Sequence, residues 1–280
     1  MIQASGLLIV LFVCSLSIAA DWESFKERYV DLSPTIPRII GGEEATPHEF
    51  PFQVALVING NSFCGGSLIS SNYVLTAAHC AIAITTVDVI LGAHNVTVAE
   101  DSQVYLTGTE VILHENYNLV TFQNDIALIK LSESVTLNDY IQTVPLPSRN
   151  DANKTYDDEI VTSIGWGLTK DLDHTPTLRD ISPVLRYVEV EVHDLDDCRD
   201  YYNRNIYNIT YVTSLNICTS GYRNKGTCSG DSGGPLILNG VQIGLVSIGT
   251  TLCELCSPSV FTDLGKHLDW IVEHSDVVIQ

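Results

Sequence analysis

The sequence predicts an all-β protein closed by one C-terminal helix. From Gln53 onward, short runs rich in β-branched residues alternate with turn signals: Gln53–Ile58, Val87–Leu91, Ile126–Leu131, Val188–Val192 and Val241–Ser247. Within one of them Val188, Val190 and Val192 alternate with Glu189 and Glu191, the period of a half-buried strand. Near the end, Leu264, Leu268, Ile271 and Val272 recur at helical spacing, which predicts a docked amphipathic helix. Many short strands without helices between them imply a sandwich or a barrel. The 280 residues suffice for one large domain or two small ones.

The chain divides by composition before the strands begin. Gly6 to Ala20 is a short apolar run ending in small residues, too short to span a bilayer comfortably. Residues 1–20 therefore read as a signal peptide, although no Lys or Arg precedes the run. No later segment is long and apolar enough to cross a membrane. Residues 21–38 are polar, and Pro34 and Pro37 hold the end of this stretch extended and accessible. A different composition starts at Ile39-Ile40-Gly41-Gly42, so the folded domain is expected over 39–280.

Secretion implies an oxidising compartment, extracellular location and disulfides. Seven cysteines remain after the signal peptide, enough for three bridges and one thiol. Cys253-Glu254-Leu255-Cys256 has no second pair at metal spacing, so no metal site and no cofactor are expected. Asn95, Asn153 and Asn208 each open an Asn-x-Thr glycosylation acceptor. A formal charge of -20 repels phosphate backbones and excludes nucleic acid as a partner.

Chemistry concentrates in Gly230-Asp231-Ser232-Gly233-Gly234-Pro235, with Cys228 just upstream. Glycine beside a serine lets backbone N–H groups point at a reacting oxygen. Serine is a weak nucleophile at neutral pH and needs an adjacent base. His79, in Leu75-Thr76-Ala77-Ala78-His79-Cys80, is the candidate. Asp125 enters the apolar run Ile126–Leu131, where a lone acid is costly unless a partner such as histidine offsets it.

Together these segments resemble the chymotrypsin family of serine endopeptidases, whose chain order is His, Asp, Ser. The resemblance extends to Cys64-Gly65-Gly66-Ser67-Leu68-Ile69, Gly165-Trp166-Gly167 and Pro258-Ser259-Val260-Phe261. It implies two six-stranded antiparallel β-barrels with the site in the cleft between them. It implies Ser232 as nucleophile, His79 as base, Asp125 as its orienting acid, and the N–H groups of Gly230 and Ser232 as the oxyanion hole. It also implies a zymogen: a trypsin-like activator would cut after Arg38, and the freed Ile39 ammonium would pair with Asp231. Implied disulfides are Cys64–Cys80, Cys198–Cys218 and Cys228–Cys253, with Cys228–Cys256 as an alternative. Expected partners are protein or peptide substrates and protein protease inhibitors, and the enzyme is expected to be a monomer.

Alignment from Ser232 makes Gly226 the floor of the primary specificity pocket, with Ser247, Gly249 and Ser259 as walls. None is charged, so the resemblance implies cleavage after Phe, Tyr or Leu. The alternatives are elastase-like cleavage after small residues, collagenolytic cleavage of the invertebrate brachyurin kind, or a non-catalytic homologue that binds proteins. Ile248 stands where the family usually has tryptophan. Ala93 and Gln103 replace two acids of the trypsin calcium loop, so no structural calcium is expected despite Glu100 and Asp101. A digestive role is expected.

Overall fold

The computed structural model describes residues 41–172, 177–205, 210–249, 253, 254 and 256–279. The leader, the 21–38 segment, Arg38, Ile39 and Asn208 lie outside the described residues.

The barrel alternative is the one adopted, twice. In the first barrel β2 (Gln53–Ile58), β3 (Ser62–Leu68), β4 (Tyr73–Thr76), β5 (Val87–Leu91), β6 (Val104–Leu113) and β7 (Ala127–Leu131) close in the order β2-β3-β4-β7-β6-β5. A four-residue helix, α1 (Ala78–Ala81), interrupts the strands just after β4. The second barrel is built from β8 (Ile160–Gly165), β9 (Arg186–His193), β10 (Asn216–Thr219), β11 (Pro235–Leu238), β12 (Val241–Ile248) and β13 (Ser259–Asp263). Its order is β9-β10-β13-β12-β11-β8, and pairing of β8 with β9 closes it. The short β1 (Glu43–Glu44) adds to β9 through Glu43 opposite Tyr187.

Inward-facing side chains fill each barrel. Val188, Val190 and Val192 point into the second barrel with Val161, Leu236 and Phe261, as the alternation along β9 requires. A larger cluster fills the first barrel around Leu56, Leu75, Leu128 and Ile129 and runs on to Ile164, Trp166 and Leu245 of the second. One further contact between the barrels is polar: Ser67 Oγ donates to Gln242 Oε1 at 2.6 Å, both side chains fully buried.

A helix between β9 and β10, α2 (Leu195–Asn205), departs from the strand-only reading of the middle of the chain. Its signals are local. Asp194 Oδ1 accepts from the N–H groups of Asp196 and Asp197, as an N-cap does, and those two acids sit in the positive first turn. Cys198 and Tyr202, four residues apart, face inward. The C-terminal helical spacing also resolves into two pieces, a 3₁₀ turn over Leu264–His267 and α3 (Leu268–His274). Leu264, Trp270 and Ile271 join the first barrel's core cluster, so the segment that ends the second barrel straps across the first.

Asp263 caps that 3₁₀ turn, its Oδ1 accepting from Gly265 N at 2.8 Å. Burial pushes its carboxyl up from 3.8 to about 6. A raised folded-state value means that its contribution to stability is complete below 3.8 and is lost as pH rises through about 6. Asp263→Asn keeps a capping oxygen and removes the charge. Urea melts should show the variant more stable than wild type at about pH 8, with the advantage gone below about pH 4.

Candidate active site

The segment after β4 turns sharply into α1, which puts His79 at the rim of the first barrel, half-buried. Asp125 enters β7 from a loop and is fully buried. The two meet twice: His79 N donates to Asp125 Oδ1 at 2.8 Å, and His79 Nδ1 lies 2.7 Å from Asp125 Oδ2. Nδ1 faces a carboxylate, so it carries the proton, and Nε2 is left with its lone pair free to accept one. The ring of Phe122 stands edge-on to His79, 5.8 Å between centroids.

Two further contacts to Asp125 come from the second barrel. Ser247 Oγ donates to Asp125 Oδ2 at 2.6 Å, and Thr262 Oγ1 donates to the Asp125 carbonyl at 2.9 Å. The sequence reading put Ser247 in a pocket wall and missed this bond. A separation of 122 residues leaves no local signal for it.

Ser232 sits half-buried on the turn between β10 and β11. Its carbonyl accepts from Gly65 N of the first barrel at 2.8 Å, while Gly233 N donates to Val246 O of the second at 2.8 Å. Cys80 Sγ lies 3.7 Å both from His79 Nε2 and from the Ser232 carbonyl oxygen, so the serine turn adjoins the Nε2 side of the imidazole. Within the turn, the N–H groups of Asp231, Gly233 and Gly234 have backbone acceptors. Those of Gly230 and Ser232 have none among the described residues. Gly230 has φ of +100°, a conformation that suits glycine.

Asp231 points away from Ser232's surroundings into the second barrel's wall and is 1 % exposed. It accepts from Gly167 N at 2.8 Å and from Cys228 N at 2.9 Å. A Cβ on Gly167 would collide with this carboxylate, which explains the glycine in Gly165-Trp166-Gly167. Burial pushes the Asp231 carboxyl up to about 6, against the pull of the two N–H donors. No ammonium or guanidinium pairs with it among the described residues.

Gly226 and Ser259 do come together: a Cβ on Gly226 would stand 3.0 Å from Ser259 Oγ. Thr227, absent from the sequence-based pocket, completes this base. Its N and Oγ1 lie 3.3 and 3.1 Å from Ser259 Oγ. At the exposed Gly249, a Cβ would meet only Thr227 Oγ1, at 3.9 Å. Among the described residues, Gly226, Thr227, Gly249 and Ser259 thus bring together two hydroxyls and no charge.

Disulfides join Cys64 to Cys80, Cys198 to Cys218 and Cys228 to Cys253. Cys256 keeps a thiol that donates to Asn224 Oδ1 at 2.9 Å. Asp171 lies beside the Cys228–Cys253 sulfurs, but both are spent on the bridge and cannot hold a metal. Asn153 is exposed on a loop, whereas Asn95 is half-buried with its Oδ1 accepting from Thr97 N at 2.9 Å.

The loop between β5 and β6 does not fit a calcium ion. Glu100 accepts from His94 N at 2.7 Å and Asn95 N at 3.1 Å. Gln103 Nε2 then fills the centre, facing the carbonyls of Asn95 and Val98 at 2.8 and 3.1 Å and Glu100 Oε2 at 3.2 Å. An amide thus satisfies the oxygens that calcium would otherwise gather.

A double β-barrel with a buried acid–imidazole pair beside a serine on a glycine turn is the arrangement of a serine endopeptidase. The family model described as Trypsin matches residues 39–271, and the chain belongs to that family. It is 45% identical over 234 residues to brachyurin of Leptuca pugilator, covering 83% of this chain and 96% of the relative. It is 36% identical over 283 residues to chymotrypsin of Phaedon cochleariae, covering 96% and 97%. A solved structure titled HL collagenase superposes with a TM-score of 0.75 at 31% identity, over 86% of this chain and all of the other.

Ser247→Ala should lower kcat/KM roughly tenfold or more, the scale of a hydrogen bond to a buried charge, read with a peptide substrate. Gln103→Glu should create a calcium-dependent rise in Tm, while the wild-type Tm stays unchanged by calcium or chelator.

Proposed function

We propose that the chain is a secreted endopeptidase made as a zymogen, hydrolysing peptide bonds through Ser232, His79 and Asp125. Ser232 Oγ attacks the scissile carbonyl as His79 Nε2 takes its proton, and His79 later returns that proton to the leaving amine. Asp125 holds the ring in the required tautomer and stabilises the imidazolium. The single observation that supports this reading best is that the N–H groups of Gly230 and Ser232 have no acceptor among the described residues, on a serine turn that adjoins His79. Such donors suit the oxyanion of a tetrahedral intermediate.

Activation follows from Asp231. A buried carboxylate held by two amides gains most from a cation, and cleavage after Arg38 would supply the Ile39 ammonium. Specificity follows from the uncharged grouping of Gly226, Thr227 and Ser259, read as a pocket that suits Phe, Tyr or Leu before the scissile bond. Collagenolytic cleavage is the second reading, favoured by similarity to brachyurin and to the structure titled collagenase. Protein substrates, a trypsin-like activator and a digestive role belong to the same proposal.

Ser232→Ala should abolish labelling by an active-site phosphonate, and labelling of that variant would contradict the assignment. In a peptide series varied only before the scissile bond, kcat/KM should be highest for Phe, Tyr or Leu; preference for Arg would refute the pocket reading. Arg38→Gln should leave a precursor that trypsin cannot activate, and full activity in that uncut precursor would sink the zymogen proposal.

A further inference from the structure

Asp171 has no part in the chemistry above, yet it joins two loops of the second barrel. One is its own loop between β8 and β9, and the other is the β12–β13 loop, which begins at Gly249. Asp171 Oδ1 accepts from Cys253 N at 2.7 Å, across 82 residues of sequence. Asp171 N donates to Glu254 Oε2 at 3.1 Å. Each loop thus gives the other one backbone N–H and one carboxylate oxygen. Both bonds pair an amide with a carboxylate, the stronger kind of hydrogen bond, and the one to Cys253 is the shorter.

The Asp171 loop is itself well anchored. At its start, Gly167 N donates to Asp231 Oδ1 and Leu168 N to Ser229 O, each at 2.8 Å. Leu168 is buried with Cys228 and Cys253, and Leu172 packs against the same cluster. Apolar contact therefore lays this loop along the Cys228–Cys253 bridge, and Asp171 adds the polar fastening beside it.

Cys253 is consequently held in two ways. Its side chain is bonded to Cys228, next to Thr227, whose Oγ1 lies 3.1 Å from Ser259 Oγ. Its backbone N–H is bonded to Asp171. The bridge limits how far Cys253 can move, and the Asp171 bond fixes how its backbone is turned. Cys253 is buried, so an N–H released by Asp171 would have little water to replace the lost acceptor. Gly249, at the mouth of the proposed pocket, lies only four residues earlier in the chain. We propose that Asp171 is a positioning residue for that pocket, holding the Cys253 backbone so that the sides carrying Thr227 and Gly249 stay spaced for a large side chain. The proposal rests on the pocket reading given above.

Asp171→Ala removes the acceptor, whereas Asp171→Asn keeps an oxygen at the Oδ1 position. The activated enzymes should be compared on two peptides that differ only in Phe or Ala before the scissile bond. On the Phe peptide, Asp171→Ala should raise KM about tenfold, the scale of a hydrogen bond to a charged group, with kcat nearly unchanged. On the Ala peptide KM should hardly change, because a methyl group reaches little of the pocket. Asp171→Asn should stay within about threefold of wild type, since a neutral oxygen accepts less strongly than a charged one. Wild-type KM for the Phe peptide in Asp171→Ala would overturn the proposal. Equal losses on both peptides, following Tm, would reduce Asp171 to a structural role and overturn it as well. So would an Asn variant as impaired as the Ala variant. A wild-type enzyme that cleaves the Ala peptide better than the Phe peptide would instead sink the pocket reading, whatever the Asp171 variants do.

Discussion

The buried carboxylate of Asp125 is the constraint on which the site depends. A fully buried charge is costly unless hydrogen bonds replace the water it has lost. Asp125 gathers His79 N, His79 Nδ1 and Ser247 Oγ on its two oxygens, and Thr262 Oγ1 on its carbonyl. His79 belongs to the first barrel, and Ser247 and Thr262 belong to the second. The acid is therefore satisfied only when both barrels are folded and docked, which ties formation of the site to completion of the fold.

A second buried acid, the sequence neighbour of the serine, is treated differently. Asp231 takes two amide N–H groups, and burial holds its carboxyl near 6. The two buried carboxylates thus have distinct surroundings, which in the proposed mechanism lets one orient a base and the other respond to a cation. The proposed activation uses that difference, since a charge arriving at Asp231 leaves Asp125 with its own full set of donors.

Other oxygen-rich or sulfur-rich places in the molecule are filled internally. Gln103 occupies the centre of the Glu100 loop, and the Cys228–Cys253 bridge uses up the sulfurs near Asp171. The chain needs no resident ion at either place. The strap formed by Leu264–His267 and α3 adds a second connection between the barrels, with Trp270 and Ile271 in the first barrel's core cluster.

Much of this was legible along the chain because its cause is local. Strand alternation at Val188, Val190 and Val192 reflects the two-residue period of a pleat, and the apolar runs at Gln53–Ile58 and Val87–Leu91 became strands with the same bounds. The Asp194 cap of α2 was also a local signal, hidden by the strand-rich composition around it. His79, Asp125 and Ser232 stood out by motif, and Gly226 entered only through the family resemblance, by alignment from Ser232. What only the tertiary structure decided were contacts between residues far apart in sequence: Ser247 on Asp125, Thr227 on Ser259, Gly167 beneath Asp231, and Asp171 on Cys253. No short-range period encodes them, because each arises where chain closure brings a polar atom to a buried partner that water can no longer serve.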